Sequence, residues 1–237
     1  AAAAPACVAV KPQLACFERL GGPGLTALAG AVAAAREAGL LVLADGKRGD
    51  VPVTAAAYAQ ALAGAVATPA GEVRGLGADA FTANPLLGRD ALEPLIATGA
   101  GVFVLVRTSN PGAGDLQDLE LAGGERLWER IARLVDELGK PRACGLADVG
   151  AVVGATEPAH LARARELMPH AIFLLPGVGA QGGRVEDLAP AFAPGPAAGL
   201  VAAARSIANA ARNGDRGPAR AARAEAERLR ELAWALA

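Results

Sequence analysis

Seven short apolar runs recur along the chain, and each stops at polar or turn-forming residues. They lie at residues 6–11, 40–45, 78–83, 101–106, 146–154, 171–175 and 199–204. Runs of this length suit strands buried on both faces. Between them lie stretches of helical length at 24–38, 52–66, 88–98 and 123–138, and from Thr156, the expected cap, to about 168. The last 20 residues, charged and alanine-rich, read as an amphipathic helix. Residues 67–77 read as loop, and residues 1–5 as a helix end or linker. Strict alternation of strand and helix predicts a parallel sheet. Polar side chains or turn residues stand where the strands end: Lys11, Asp45, Asn84, Ser109, Pro176 and Arg205. A (β/α)₈ TIM barrel carries its active site at that edge. Seven strands do not close such a barrel. The expectation is therefore a single barrel domain over residues 1–237 with its first βα unit absent before residue 1. An open doubly wound sheet is the alternative.

The central stretch is residues 40–58, LLVLADGKRGDVPVTAAAY. Its apolar run breaks into Asp45-Gly46-Lys47-Arg48-Gly49-Asp50, which is too polar to continue a buried strand. Pro52 suits the first turn of the helix that follows. Side chains two apart on an extended segment point the same way, so Asp45 and Lys47 can emerge together. Gly49 lets the backbone turn before Asp50. A lysine between two carboxylates keeps its proton, which suits a proton donor or fixed cation rather than a Schiff-base amine. The same run could also serve as a surface salt-bridge cluster.

A second stretch follows the sixth run, Pro176-Gly177-Val178-Gly179-Ala180-Gln181-Gly182-Gly183. Residues 177–182 match G-x-G-x-x-G. The dinucleotide fingerprint belongs to a first βαβ unit and needs an acid about 20 residues on. Here the loop is late, and no Asp or Glu lies between Asp187 and Asp215. With one unit missing upstream, these are the loops after strands 7 and 8 of a barrel, a frequent phosphate site. Glycine amides can cradle an anion there, and Arg205 can bind it with a planar fork. An ordinary turn with Arg205 in a structural ion pair is the plainer alternative.

Composition narrows the partners. The net charge of −1 and the 3% aromatic content favour neither nucleic acid nor an anionic membrane. No apolar run is long enough to cross a bilayer. Cys7, Cys16 and Cys144 have no metal-ligand pattern and read as buried thiols in a reducing, cytoplasmic compartment. The start lacks both a signal-peptide n-region and an initiator Met, so upstream sequence is expected to have been removed or left out. His160 and His170 read as surface residues, and Trp128, Met168 and Trp234 as packing residues.

Asp45-x-Lys47-x-x-Asp50 followed by Thr54 resembles orotidine 5′-phosphate decarboxylase. The flanking pieces suit its bacterial type 2 branch: Val10-Lys11-Pro12-Gln13 with Phe17-Glu18, Asn84-Pro85 with Gly88-Arg89-Asp90, Thr108-Ser109-Asn110-Pro111, Pro176 to Gly183, and Arg205. The likeness runs in order over residues 8–207. It implies a (β/α)₈ barrel working as a homodimer with shared active sites and no metal or cofactor. It implies a carboxy-lyase of pyrimidine biosynthesis that converts orotidine 5′-phosphate to uridine 5′-phosphate and CO₂. Carried over, Lys11, Asp45, Lys47 and Asp50 form the charged tetrad, with Lys47 the proton donor. Asp50 and Thr54 reach into the partner's site. Ser109 and Gln181 hold the pyrimidine, and Gln181 also approaches the phosphate. Arg205 and the Gly179–Gly183 loop, with Gly182 and Gly183, bind the phosphate, and Pro176 opens that substrate-binding stretch. The chain departs from the family at three places. No aspartate for the ribose precedes Lys11, Ala203 and Ala204 replace common serines, and Val51 replaces the usual Ile.

The residues suit the chemistry the resemblance implies. Loss of CO₂ from C6 leaves an electron pair in the ring plane, outside the π system, so the site must supply fixed positive charge and a proton at that carbon. A Mg²⁺-dependent sugar-phosphate decarboxylase or aldolase of the same superfamily shares Asp-x-Lys-x-x-Asp. Ser109 and Gln181 argue for a pyrimidine instead. A non-catalytic barrel that binds a phosphate ligand is the rival from another class.

Overall fold

The computed structural model of the chain describes residues 2–179, 181–213 and 217–236. It divides into two compact units, Val8–Val104 and Ala2–Cys7 with Leu105–Ala237.

In the first unit the strands are β1 (Ala9–Val10), β2 (Leu41–Arg48), a hairpin of β3 (Ala65–Thr68) and β4 (Gly71–Arg74), β5 (Ala80–Ala83) and the start of β6 (Gly101–Arg107). The helices are α1 (Leu14–Glu18), α2 (Gly21–Glu37), α3 (Pro52–Leu62) and α4 (Arg89–Ile96). β1, β2, β5 and β6 pair in that order, all parallel. Val42, Leu43 and Ala44 of β2, Phe81 of β5 and Val102 and Val104 of β6 are buried, as unbroken apolar runs require. Pro52 opens α3 as expected.

In the second unit, β6 ends at Arg107 and is followed by the short α5 (Gly114–Gln117) and by α6 (Leu127–Leu138). Next come β7 (Ala147–Val153), α7 (Pro158–Leu167), β8 (Ala171–Pro176), β9 (Gly199–Ala202), α8 (Arg205–Ala208) and α9 (Pro218–Trp234). β7, β8 and β9 pair in parallel. Trp128, Leu161, Met168, Phe173 and Leu188 fill its interior. The buried Arg165 donates from Nη1 to the carbonyls of Met168 (2.9 Å) and Ala171 (2.7 Å) and from Nη2 to those of Ala191 (2.7 Å) and Ala198 (3.3 Å). Its guanidinium lies 3.8 Å from the centre of the Phe173 ring. Burial pulls its pKa down to about 10.

All seven expected strands are present, with differences in detail. β2 does not stop at Asp45. It runs on to Arg48, with a register shift against β5 between Ala44 and Arg48, so the charged segment is absorbed as a bulge. Residues 67–77 are not wholly loop, because most of them fold into the β3–β4 hairpin. Thr156 is not the cap of α7. Glu157 holds that position, without a side-chain bond, and Pro158 begins the helix. Trp234 is 70% exposed rather than packed, and Cys16 and Cys144 are exposed rather than buried. No helix among the described residues is long and apolar enough to cross a membrane.

Candidate active site

The first unit gathers its charges around Asp45. This carboxylate is only 5% exposed, yet all its neighbours are donors. Oδ1 accepts from Lys47 Nζ at 2.6 Å and from Thr82 Oγ1 at 3.1 Å. Oδ2 accepts from Lys11 Nζ and from Gln13 Nε2 at 3.2 Å. Burial alone would raise the Asp45 pKa. The hydrogen bonds and positive charges of Lys11 and Lys47 outweigh it and hold the carboxyl below its usual range. The backbone supports this arrangement, since Asp45 N donates to Pro12 O at 3.0 Å. Lys11, Asp45 and Lys47 therefore form one ion cluster, with Asp45 at its centre.

Lys47 has φ 49°, the one left-handed non-glycine backbone among the described residues. The turn expected at Gly49 is thus made at Lys47. Gly49 is needed for another reason: a Cβ there would lie 2.8 Å from the Asn84 carbonyl oxygen. Arg48, next to the lysine, is anchored by an ion pair to Glu18 and lies 5.2 Å from the Tyr58 ring centre.

Asp50 does not join the cluster within this chain. Its Oδ1 accepts from Val51 N at 2.8 Å. Thr54 is exposed and donates to Val51 O at 3.1 Å. Asn84 closes its own turn by accepting from Leu86 N at 3.0 Å.

The second unit brings together another part of the expected set. Ser109 Oγ donates to Gln181 Oε1 at 2.7 Å. This pairing spans 72 residues of sequence and leaves the Gln181 amide nitrogen free to donate. Two glycines permit it by their lack of a side chain. A Cβ on Gly154 would stand 2.9 Å from Ser109 Cα, and one on Gly177 would stand 3.1 Å from Gln181 Oε1. The Ser109 loop is closed by Arg107, which grips Asp118 with two bonds of 2.9 and 2.8 Å, and by Gln117 Oε1, which accepts from Thr108 N at 2.8 Å. Pro176 ends β8, and its carbonyl accepts from Ala155 N at 2.9 Å.

The glycine loop differs from an open amide cradle. Gly179 N donates to Gly183 O (2.9 Å), Gly182 N to Gly179 O (2.9 Å) and Gly183 N to Gly177 O (3.1 Å). These amides are used in the loop's own turns. Ala180 lies outside the described residues. Arg205 is the first residue of α8, is exposed, and makes no ion pair among the described residues. His160, expected at the surface, is half-buried against Trp128, with ring centroids 5.4 Å apart. Burial pulls its pKa down, with the Arg107 charge adding to the effect.

Sequence reasoning missed Thr82 and gave Gln13 no role. The signal for Thr82 was a lone hydroxyl near the end of an otherwise apolar strand. Gln13 stood within the quoted Lys11-Pro12-Gln13 motif. Among the described residues, no group of three or more His, Cys, Asp or Glu could hold a metal ion.

Parallel β/α repeats with a Lys-Asp-Lys cluster at one set of strand ends, a Ser–Gln pair at another and an exposed arginine at the start of α8 define an α/β protein of the active-site-bearing type. The model of the orotidine 5′-phosphate decarboxylase / HUMPS family matches residues 1–223. The chain belongs to that family. It is 51% identical over 226 residues to orotidine 5′-phosphate decarboxylase of Deinococcus radiodurans, covering 93% of this chain and 78% of that protein. It is 48% identical over 204 residues to the Rhodopirellula baltica enzyme of the same name, covering 84% of this chain and 66% of that protein, slightly under two thirds. Among solved structures, a putative orotidine 5′-phosphate decarboxylase from Streptomyces avermitilis is similar with a TM-score of 0.80 and 33% identity, over 99% of this chain and 80% of that one. Leishmania donovani UMP synthase matches with a TM-score of 0.78 and 34% identity, over 99% of this chain and 47% of that one. The fold class expected from the sequence, that of a (β/α)₈ barrel, is the class these structures share.

Proposed function

We propose that this chain decarboxylates orotidine 5′-phosphate to uridine 5′-phosphate and CO₂, as a cytoplasmic homodimer that needs no cofactor. The observation that carries the reading is the buried Asp45 carboxylate, which holds Lys47 Nζ at 2.6 Å and Lys11 on its other oxygen. In the reaction the bond from C6 to the carboxyl carbon breaks and its electron pair stays on C6. CO₂ departs, and Lys47 delivers a proton to C6, to be replaced later from water. The ammonium stabilises charge that develops only in the transition state. Ser109 and Gln181 hold the pyrimidine. Arg205, with the loop that carries Pro176, Gln181, Gly182 and Gly183, binds the phosphate. Asp50 and Thr54 act in the partner's site. The dimer reading is supported by Asp50 accepting from Val51 N rather than bonding to Lys47 in its own chain, and by the exposed apolar side chains of Val51, Val53 and Leu86.

The test follows the ultraviolet absorbance of orotidine 5′-phosphate with purified protein, with and without EDTA. Loss of absorbance that EDTA leaves unchanged, and that Lys47→Ala abolishes in a folded protein, supports the reading. Activity only with added Mg²⁺ would instead point to the sugar-phosphate branch. No turnover by the wild type, or near-normal turnover by Lys47→Ala, ends it.

A further inference from the structure

Thr82 is fully buried on β5 at 0% exposure and, among the described residues, is one of three buried polar or charged side chains, with Asp45 and Arg165. Its hydroxyl does two things at once. It accepts from the Lys47 backbone N–H at 2.8 Å and donates its single proton to Asp45 Oδ1 at 3.1 Å. Lys47 Nζ reaches the same Oδ1 at 2.6 Å. Hydroxyl, carboxylate and lysine therefore close a ring in which one oxygen fixes both ends of Lys47, its backbone directly and its ammonium through Asp45.

The ring sits where the backbone needs support. Lys47 has φ 49°, a conformation that costs a side-chain-bearing residue free energy and persists where neighbours hold it. It lies in the bulge between Ala44 and Arg48, where the regular β2–β5 ladder lapses. The Thr82 hydroxyl stands in for the missing ladder partner by taking the Lys47 amide proton. We propose that Thr82 is a positioning residue. It does not touch the substrate. It sets where the Lys47 ammonium points, and a proton donor misaimed by a fraction of an ångström loses rate rather than affinity. This inference rests on the decarboxylase reading for its kinetic consequence, whereas its structural content stands apart from that reading.

The test compares Thr82→Val, which keeps the volume and removes the hydroxyl, with Thr82→Ser, which keeps the hydroxyl. Should Thr82→Val not fold, Thr82→Ala takes its place. For orotidine 5′-phosphate, Thr82→Val should lower kcat by about tenfold or more, with KM held within about threefold. Thr82→Ser should recover most of that loss. Independently of turnover, hydrogen exchange at the Lys47 amide should be faster in Thr82→Val and protected in Thr82→Ser. Failure of the wild type to decarboxylate sinks the decarboxylase reading, and the exchange measurement then decides the positioning claim alone. Wild-type kcat in Thr82→Val, equal losses in both variants, or unchanged Lys47 amide protection in Thr82→Val would overturn it.

Discussion

Replacing Asp45 by asparagine tests the cluster at its centre. All four side chains around the carboxylate direct a proton at it: Lys47 and Thr82 at Oδ1, Lys11 and Gln13 at Oδ2. An amide has one acceptor oxygen and one donor nitrogen. Whichever way it is turned, its nitrogen faces two donors. Thr82 cannot reverse its hydroxyl without facing the Lys47 amide proton, whereas Gln13 can flip at the cost of the long, exposed bond that its Oε1 accepts from Ala15 N at 3.4 Å, so the milder orientation sacrifices the Lys11 contact. The loss is one hydrogen bond to a charged donor, worth about 1.5–3 kcal/mol, together with the attraction of a full negative charge for the second ammonium. The lysine side chains are 28% and 44% exposed, so water recovers part of this. The net cost is about 2–4 kcal/mol, and for a chain of this length Tm should fall by roughly 5–15 °C.

The pH dependence has a definite sign. The folded-state pKa of Asp45 is below its reference value of 3.8. Its stabilisation is therefore fully present above that value and is lost as pH falls through the lower folded pKa. Urea unfolding of wild type and Asp45→Asn, followed by circular dichroism from about pH 7 to about pH 2, should show a gap that is constant near neutrality and narrows as the pH falls below the reference value of 3.8. Equal stability near neutrality, or a gap that persists undiminished at the lowest pH, would refute the idea that an ionised Asp45 organises the cluster.

Arg205→Ala should raise KM strongly and lower kcat/KM for orotidine 5′-phosphate, and unchanged steady-state kinetics would remove Arg205 from the phosphate site. If the proposed shared-site dimer holds, inactive Lys47→Ala and Asp50→Ala proteins, mixed and allowed to exchange subunits, should regain roughly a quarter of wild-type activity, because half the dimers would be mixed and each would have one intact site. Proven exchange with no recovery would return Asp50 to its own chain. Arg165→Met should lower Tm by at least about 5 °C, since it strips partners from the buried carbonyls of Met168, Ala171, Ala191 and Ala198. An unchanged melting curve would show that those carbonyls find other donors.

What was legible in the sequence followed from burial, and what was not followed from pairing. Val42 to Ala44 and Val102 to Val104 are covered on both faces, so their strands appear as unbroken apolar runs. The β3–β4 hairpin has no such run because its strands lie at the surface, with Val66 and Val73 exposed. The spacing of Asp45 and Lys47 correctly anticipated neighbouring side chains, but by the wrong route. An extended segment would set them side by side, whereas here the chain bulges and Lys47 turns left-handed. That conformation is chosen by a hydroxyl 35 residues away on β5, and no local pattern around residue 47 encodes it. The internal bonds of the glycine loop were hidden for the same reason. Gly179, Gly182 and Gly183 can each present an amide, yet all three amides are taken by carbonyls of their own loop. A sequence states which groups can donate. Only the fold states which donors are already engaged, and for a charged site that distinction decides which residue moves the proton and which holds it still.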